Sequence, residues 1–373
     1  MILTNSFDPD LRTYKEAKYL IQKGFRVQIL CWDREGRYPD KETEIIEGIR
    51  IKRFYPYSQY GTGLKQIVPF IKFVKECRAY IRKIKGKYYC HCADLDGMIT
   101  GFLSCPRARV KLVFDMREFY ESGSLTRFRY FVRLAVRFLQ DRCYRIIYLN
   151  NLQKKYVRKR NYNKLVYLPN YPESTKFKNT EKTKSDKIQV SFIGYVRHEK
   201  QLRALMDAAA LFRDKIDVHI HGRGVCYDSL KEYAQAYENC FVTGDFNHEC
   251  IDNLYQNTDL LFCVYDVRDD NDKHAYPTKF FEAIITKTPM IVAADTVIAK
   301  FCEKYEIGFA INNHYKEALV DIFSRITKSD NLLRRMRENE AKIQKKYLWE
   351  QVEKNLDTIY QIGGEARKND SIT

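Results

Sequence analysis

Short apolar runs rich in β-branched and aromatic residues recur along the whole chain, and each is followed by a longer stretch with helical spacing. That alternation marks layered α/β structure with parallel sheets. Met1 to Asn5, Phe25 to Trp32, Tyr88 to Ala93, Lys111 to Asp115, Arg145 to Leu149 and Lys164 to Leu168 read as strands of a first sheet. Ile188 to Ile193, Ile216 to His221, Cys240 to Thr243, Leu260 to Val264, Pro289 to Ala293 and Gly308 to Ile311 read as a second. Between the two series, residues 170–187 are rich in Pro, Lys, Thr and Asn, with almost nothing to bury. They read as a linker between a domain over 1–169 and a domain over 188–344. From Lys345 onward, Leu348, Trp349, Val352, Leu356 and Tyr360 have helical spacing, which predicts a closing helix over 345–373, with a return to the first domain as one possible packing.

A chain of 373 residues suits two cores of this kind. With 45% hydrophobic and 30% charged residues it can fill both cores and keep a polar surface, so extensive disorder is excluded. The formal net charge of +17 points to an anionic partner, and nucleic acid, acidic lipid and small anions all satisfy it. The 11 cysteines are odd in number and scattered through apolar segments, which fits a reducing cytoplasm better than a disulfide framework. No secretory leader is visible at the N-terminus, and no apolar run reaches the roughly 18 to 20 residues that span a bilayer. Cys90-His91-Cys92 is the one metal-like cluster. Neighbouring strand positions point to opposite faces and no second ligand pair follows, so no metal site is expected.

Several motifs fall at strand ends in a fixed order. Asp10-Leu11-Arg12-Thr13-Tyr14-Lys15-Glu16-Ala17 follows the first strand; His91-Cys92-Ala93-Asp94-Leu95-Asp96 and Phe114-Asp115-Met116-Arg117-Glu118 end later ones. In the second half come Phe192-Ile193-Gly194-Tyr195-Val196-Arg197-His198-Glu199-Lys200, His221-Gly222-Arg223-Gly224, Val242-Thr243-Gly244-Asp245, and Tyr276-Pro277-Thr278-Lys279-Phe280-Phe281-Glu282-Ala283 with Lys287-Thr288-Pro289-Met290-Ile291. In that order and spacing, these resemble bacterial glycosyltransferases of retaining family 4, also called group 1 glycosyltransferases. The resemblance covers nearly the whole chain.

It implies a GT-B fold: two Rossmann-like domains facing each other across a cleft, the first binding acceptor and the second a nucleoside-diphosphate sugar, UDP rather than GDP. It implies sugar transfer with retained anomeric configuration to a saccharide or lipid-linked saccharide in capsule, exopolysaccharide or lipopolysaccharide assembly. No cofactor and no metal are expected, because cations and helix-start amides can hold a diphosphate. Lys200 matches the family's phosphate lysine. Tyr195 stands where the family often has Arg, and Arg197 is the candidate to replace it. Gly194, Gly222, Tyr276, Thr278 and Lys279 complete the expected donor site, and Glu282 matches the glutamate that grips the ribose. A second family glutamate is replaced by His274, with Asp272 or Tyr276 as substitutes.

In the first half, Asp94 is placed to bind or deprotonate the acceptor hydroxyl. Arg117 replaces a family histidine beside the donor sugar, with Glu118 retained; it either meets an anionic group or pairs with Glu118 or Asp115. Asp10 and Arg12 are either a salt link or contacts to acceptor or phosphate, and His91 is either a core residue or a cleft contact. Two helices carry basic stripes: Lys75, Arg78, Arg82 and Lys85 beside Phe70, Val74 and Ile84, then Arg129, Arg133 and Arg137 beside a face of Phe128, Phe131, Val132, Ala135 and Leu139. Basic helices flanked by aromatics suit an anionic membrane surface, so peripheral attachment on the cytoplasmic face is expected. A GT-B epimerase acting on UDP-sugars and a catalytically silent partner subunit are the alternatives. Charge alone suggests nucleic acid, and no nucleic-acid motif supports it.

Overall fold

The computed structural model describes residues 1–8, 10–59, 61–120, 129–178, 181–268, 270–329 and 331–362. The chain divides into two compact units, Met1–Pro169 with Val352–Thr373, and Asn170–Gln351.

In the first unit the described residues form an eight-stranded sheet. Its strands are β1 (Ile2–Leu3), β2 (Gln28–Trp32), β3 (Thr43–Ile46), β4 (Ile49–Phe54), β5 (Tyr88–Ala93), β6 (Val110–Met116), β7 (Arg145–Tyr148) and β8 (Leu165–Tyr167). Their order is β3-β4-β2-β1-β5-β6-β7-β8, parallel except for β3 against β4. Helices α1 (Leu11–Gln22), α2 (Ile67–Ile81), α3 (Asp94–Ser104) and α4 (Arg129–Arg142) make the crossovers. Residues from α2, α3 and α4 share one core with β5, β6 and β7, around Phe73, Cys77, Met98, Val136 and Leu139. These three helices therefore form one layer on one sheet face.

The β3–β4 hairpin is absent from the sequence expectation. It closes on Glu47 and Gly48, both at positive φ (47° and 83°), with Ile46 paired to Ile49. Two consecutive left-handed residues give the turn whose twist matches that of the strands. The Glu-Gly pair between Thr-Glu-Ile-Ile and Ile-Arg-Ile-Lys is the signal that could have found it.

The second unit holds a six-stranded parallel sheet among its described residues, ordered β11-β10-β9-β12-β13-β14. The strands are β9 (Ile188–Ile193), β10 (Ile216–His221), β11 (Cys240–Gly244), β12 (Leu260–Cys263), β13 (Met290–Ala293) and β14 (Gly308–Ile311). Every residue of β12 and β13 is buried, as expected for central parallel strands covered on both faces. The helices are α5 (Glu199–Ala209), α6 (Tyr227–Ala234), α7 (Ile251–Gln256), α8 (Asp270–His274), α9 (Thr278–Ile285), α10 (Val297–Tyr305), α11 (Tyr315–Ile326) and α12 (Asn331–Ile343).

Residues 170–187 differ from the expected bare linker. They group with the second unit, where Tyr171 and Phe177 are buried, Tyr171 packs on Phe281 at 4.6 Å, and Lys182 donates to the Tyr255 carbonyl at 2.8 Å. The chain end also differs from one continuous helix. Leu348 is extended and the Trp349 amide turns to the Pro172 carbonyl at 2.8 Å, so Trp349 stays in the second unit. The helix that follows, α13 (Asn355–Tyr360), belongs to the first, where Tyr19 donates to Asp357 and Asn355 to the Tyr167 carbonyl, both at 2.8 Å.

In each sheet the strand order reverses at one point, between β1 and β5 in the first and between β9 and β12 in the second. Ligands of open parallel sheets bind beyond the strand carboxyl ends at such points. The sequence motifs converge there.

Candidate active site

The second-unit site is built on glycines that let backbones touch. Gly194, just past β9, has φ +130°, and its amide donates to the His221 carbonyl at 2.9 Å. Gly222, just past β10, also has φ +130°, and a Cβ there would lie 1.9 Å from the Gly194 carbonyl oxygen. A Cβ on Gly224 would lie 2.2 Å from the Val196 carbonyl oxygen. The loop carrying Arg197 is thus clamped to the loop after β10. Replacing Gly222 with Ala should cost more than about 3 kcal/mol, since both the positive φ and a backbone clash oppose it. Chemical denaturation checks this.

Lys279 reaches this loop from the first turn of α9. A Cβ on Gly194 would sit 3.0 Å from its Nζ, so the glycine also makes room for the ammonium. Nζ lies 3.8 Å from the Phe192 ring centroid and 5.7 Å from that of Tyr265, and no carboxylate pairs with it among the described residues. Burial pushes this ammonium down to about 8; Cys263 and Glu282 oppose the shift, and the charge of Arg197 adds to it. Lys279, Arg197 and Glu282 therefore share one electrostatic neighbourhood. Pro277 precedes α9 without a side-chain cap; the Phe280 amide turns back to the Pro277 carbonyl at 3.0 Å, and the amides of Thr278 and Lys279 are left as the first-turn donors without intrahelical acceptors.

Glu282 is buried and its Oε2 accepts from the Tyr255 hydroxyl at 3.0 Å, which fixes the carboxylate one turn along α9. Thr278 Oγ1 receives Asn170 at 2.8 Å. Arg197 is half exposed and ion-paired with Asp272, and its Nε donates to His198 at 3.1 Å. Asp272, a candidate sugar contact, is thus engaged by Arg197. His274 ends α8, and Tyr276 packs among Phe280, Phe281 and Phe301. Lys200 is placed differently from expectation. It is exposed on α5 with Nζ 5.7 Å from the Tyr315 ring centroid, and the cation beside Gly194 is Lys279.

At the switch point of the first unit, Asp94 opens α3 at φ +60°. A non-glycine residue there stores strain that functional sites often hold. Its Oδ1 accepts from Tyr120 at 3.0 Å, and burial pushes the carboxyl up to about 7 against the pull of Arg117. Behind it lies a closed charge network. Arg117 donates Nε to Asp115, Nη1 to Asp10 and Nη2 to Thr13, each at 2.8 Å. Arg12 grips Asp115 with two nitrogens at 3.0 and 2.9 Å, and reaches the Leu168 carbonyl at 3.0 Å and Glu16 at 3.1 Å. Asp10 caps α1 through the Thr13 amide; burial resists its ionisation, but Arg117 and that amide bring it to about 2. His91 is buried, 2.7 Å from the Tyr360 hydroxyl and 3.3 Å from Glu16.

Arg117, Arg12 and His91 turn their polar groups to partners inside the unit. Glu118 is exposed past β6. Tyr120 and Glu16 had not been singled out; the tyrosine two positions beyond Glu118 was the available hint. Glu16, His91 and Asp115 could converge on a metal, but the guanidiniums of Arg12 and Arg117 already occupy Asp115. That donor set does not fit a cation. Cys90 and Cys92 share one face with their sulfurs 3.7 Å apart, and His91 takes the other.

Comparison with known proteins gives a family match over the second unit and a fold match over the chain. Residues 173–343 match the model of the glycosyl transferases group 1. Those residues form a group 1 glycosyltransferase domain. The chain as a whole has the fold of GT-B glycosyltransferases. It resembles sucrose-phosphate synthase from Thermosynechococcus elongatus, with a TM-score of 0.77 at 14% identity over 96% of this chain and 97% of the other. It also resembles Anabaena HepE in complex with UDP and glucose (0.69, 14%, 96% and 98%). A third likeness is to WaaG, a glycosyltransferase involved in lipopolysaccharide biosynthesis (0.64, 13%, 98% and 99%). No curated protein sequence matches the chain. Within the group 1 domain lie Gly194, Gly222, Lys279 and Glu282.

Proposed function

We propose that this group 1 glycosyltransferase moves a sugar from a UDP-sugar to a saccharide or lipid-linked saccharide acceptor, with retention at the anomeric carbon, in surface-polysaccharide assembly. The observation that carries the reading is Lys279: a half-buried lysine whose ammonium has no carboxylate partner among the described residues, set beside Gly194 at the strand switch point. Such a group is stabilised by an incoming diphosphate. Arg197 and the first amides of α9 add positive potential, and Glu282, held by Tyr255, accepts from the ribose hydroxyls. UDP as donor is supported by the UDP complexes of HepE, and a polysaccharide role by the likeness to WaaG.

In the transfer, the bond from the anomeric carbon to the phosphate oxygen breaks and the acceptor oxygen attacks the same face. The acceptor proton passes to the departing diphosphate or to Asp94. Lys279 and Arg197 stabilise the leaving charge, so no metal is required, and EDTA should leave turnover unchanged. Glu282→Gln keeps the Tyr255 contact but removes the charge on the ribose, and should raise the UDP Kd about tenfold or more. Calorimetric titration measures that; unchanged affinity would overturn the donor assignment. NMR of the product should show one anomeric configuration, the same as in the donor. A UDP-sugar incubated alone should yield no new UDP-sugar; its appearance would point to an epimerase.

A further inference from the structure

Beside Asp94 the first unit holds a pocket that none of the roles assigned so far uses. It lies past the carboxyl ends of β6 and β7, against α4, and is lined by Met116, Phe119, Tyr120, Val136, Gln140 and Tyr156. Tyr120 ties it to the site: its ring forms one wall, and its hydroxyl donates to Asp94 at 3.0 Å. Pocket and carboxyl are thus one phenol ring apart, a span comparable to the width of a pyranose. α4 supplies the inner wall through a face that differs from the expected one. Val136, Leu139 and Gln140 point inward, whereas Phe131 points out, and Phe128 lies outside the described residues.

Gln140 is fully buried, and only one end of its amide is satisfied. Nε2 donates to the Tyr156 carbonyl and approaches the Met116 sulfur, both at 3.4 Å, which fixes the amide's orientation. Oε1 is left without a partner among the described residues. Leaving a buried acceptor unpaired is destabilising, so this oxygen calls for a donor on a ligand. Gln153, on the same wall, makes no such call: its Oε1 accepts from the Leu149 and Asn150 amides and its Nε2 donates to the Met116 carbonyl. The rest of the inner wall is carbon and sulfur from Met116, Phe119 and Val136, all buried. The space open to the centre of a water-sized group is about 20 Å³. A buried water needs roughly 10 to 15 Å³ but also about three hydrogen bonds, which this wall does not offer. A plain hydroxyl would pair with the oxygen and leave the apolar wall bare. A planar trans acetamide meets both demands, because its methyl and its N–H lie on one edge and its carbonyl on the other. Entering by that edge, it gives the N–H to Gln140 Oε1 and the methyl to Met116, Phe119 and Val136. We infer that this pocket takes the N-acetyl group of an acceptor, so that the acceptor is an N-acetylated amino sugar whose reacting hydroxyl meets Asp94.

The place of the reacting hydroxyl rests on the proposed activity; the pocket does not, and the test separates them. Calorimetry and saturation-transfer NMR would use the full chain with the methyl glycosides of N-acetylglucosamine, N-acetylgalactosamine, N-propionylglucosamine, glucose and galactose. At least one N-acetyl glycoside should bind about tenfold or more tighter than its hydroxyl counterpart, with the acetyl methyl the most strongly saturated group. The extra methylene of the propionyl group should lower affinity by about tenfold, since the pocket admits one small group. Gln140→Leu removes the acceptor oxygen and should cut the N-acetyl preference to about twofold or less. Val136→Ile places one more methyl in the pocket and should do the same; it carries the test if thermal unfolding shows that the Leu variant does not fold. Wild-type protein that binds none of these glycosides, or binds them without N-acetyl preference, would overturn the inference. So would a preference that the folded variants keep. An N-acetyl preference without transfer from any of a panel of UDP-sugars would count against the catalytic reading alone.

Discussion

Lys279→Met is expected to weaken UDP binding by about 100-fold at pH 7, on the order of 3 kcal/mol, while the ligand-free protein melts no lower than wild type. The two outcomes have one cause. The ammonium of Lys279 has been pushed down to about 8 by burial, below the roughly 10.4 of an unfolded lysine. A depressed amine opposes folding wherever it stays protonated, so the cost is full below about 8 and fades as pH rises from there toward 10.4. Met fills the same space over Phe192 without that cost. The diphosphate reverses the balance by supplying the missing negative charge, so wild-type affinity should fall as pH rises from 7 to 9, when the free protein loses the proton. Calorimetry at both pH values and thermal unfolding with and without UDP measure all of this. A Met variant that binds UDP like wild type would remove the central element of the donor site.

How much of this was readable from sequence depends on the range of the contacts involved. β12 and β13 fall within a residue of where the apolar runs place them, because a central parallel strand covered on both faces reads as an unbroken apolar run, and β10 matches through the alternation of buried Ile216, Val218 and Ile220 with Asp217, His219 and His221. β3 and β4 escaped because Glu44, Arg50, Lys52 and Arg53 break the run on the edge of the sheet. The linker reading failed on two isolated aromatics, Tyr171 and Phe177, whose burial depends on partners far along the chain, Phe281 and Tyr255. In the site, glycines followed by cations at strand ends were visible locally. Which cation faces the glycine was not: Lys200 and Lys279 both fit, and only the fold sets Lys279 beside Gly194. The role of Arg117 was equally hidden, since its partners Asp10 and Thr13 lie on another strand's exit loop and helix.

Asp94 should separate transfer from donor binding. Asp94→Asn is expected to lower the transfer rate about 100-fold, leave UDP affinity unchanged, and abolish the acidic limb of the pH–rate profile. The wild-type limb should rise through pH 7, because burial holds the carboxyl at about 7 and only the ionised form accepts a hydroxyl proton. Tyr120 donates to that ionised form, so Tyr120→Phe should move the limb upward in pH while sparing the fold. Stability carries the opposite sign. The folded carboxyl titrates above the roughly 3.9 of an unfolded Asp, so its favourable contribution is complete below that value and is lost as pH climbs to about 7. Above pH 7 the wild type holds a strained, half-buried carboxylate that Asn does not, and the variant should be more stable at pH 8 by about 1 kcal/mol. An Asn variant with full transfer activity would move the acceptor site elsewhere, whereas one that is inactive and less stable at pH 8 would show that Asp94 serves the fold.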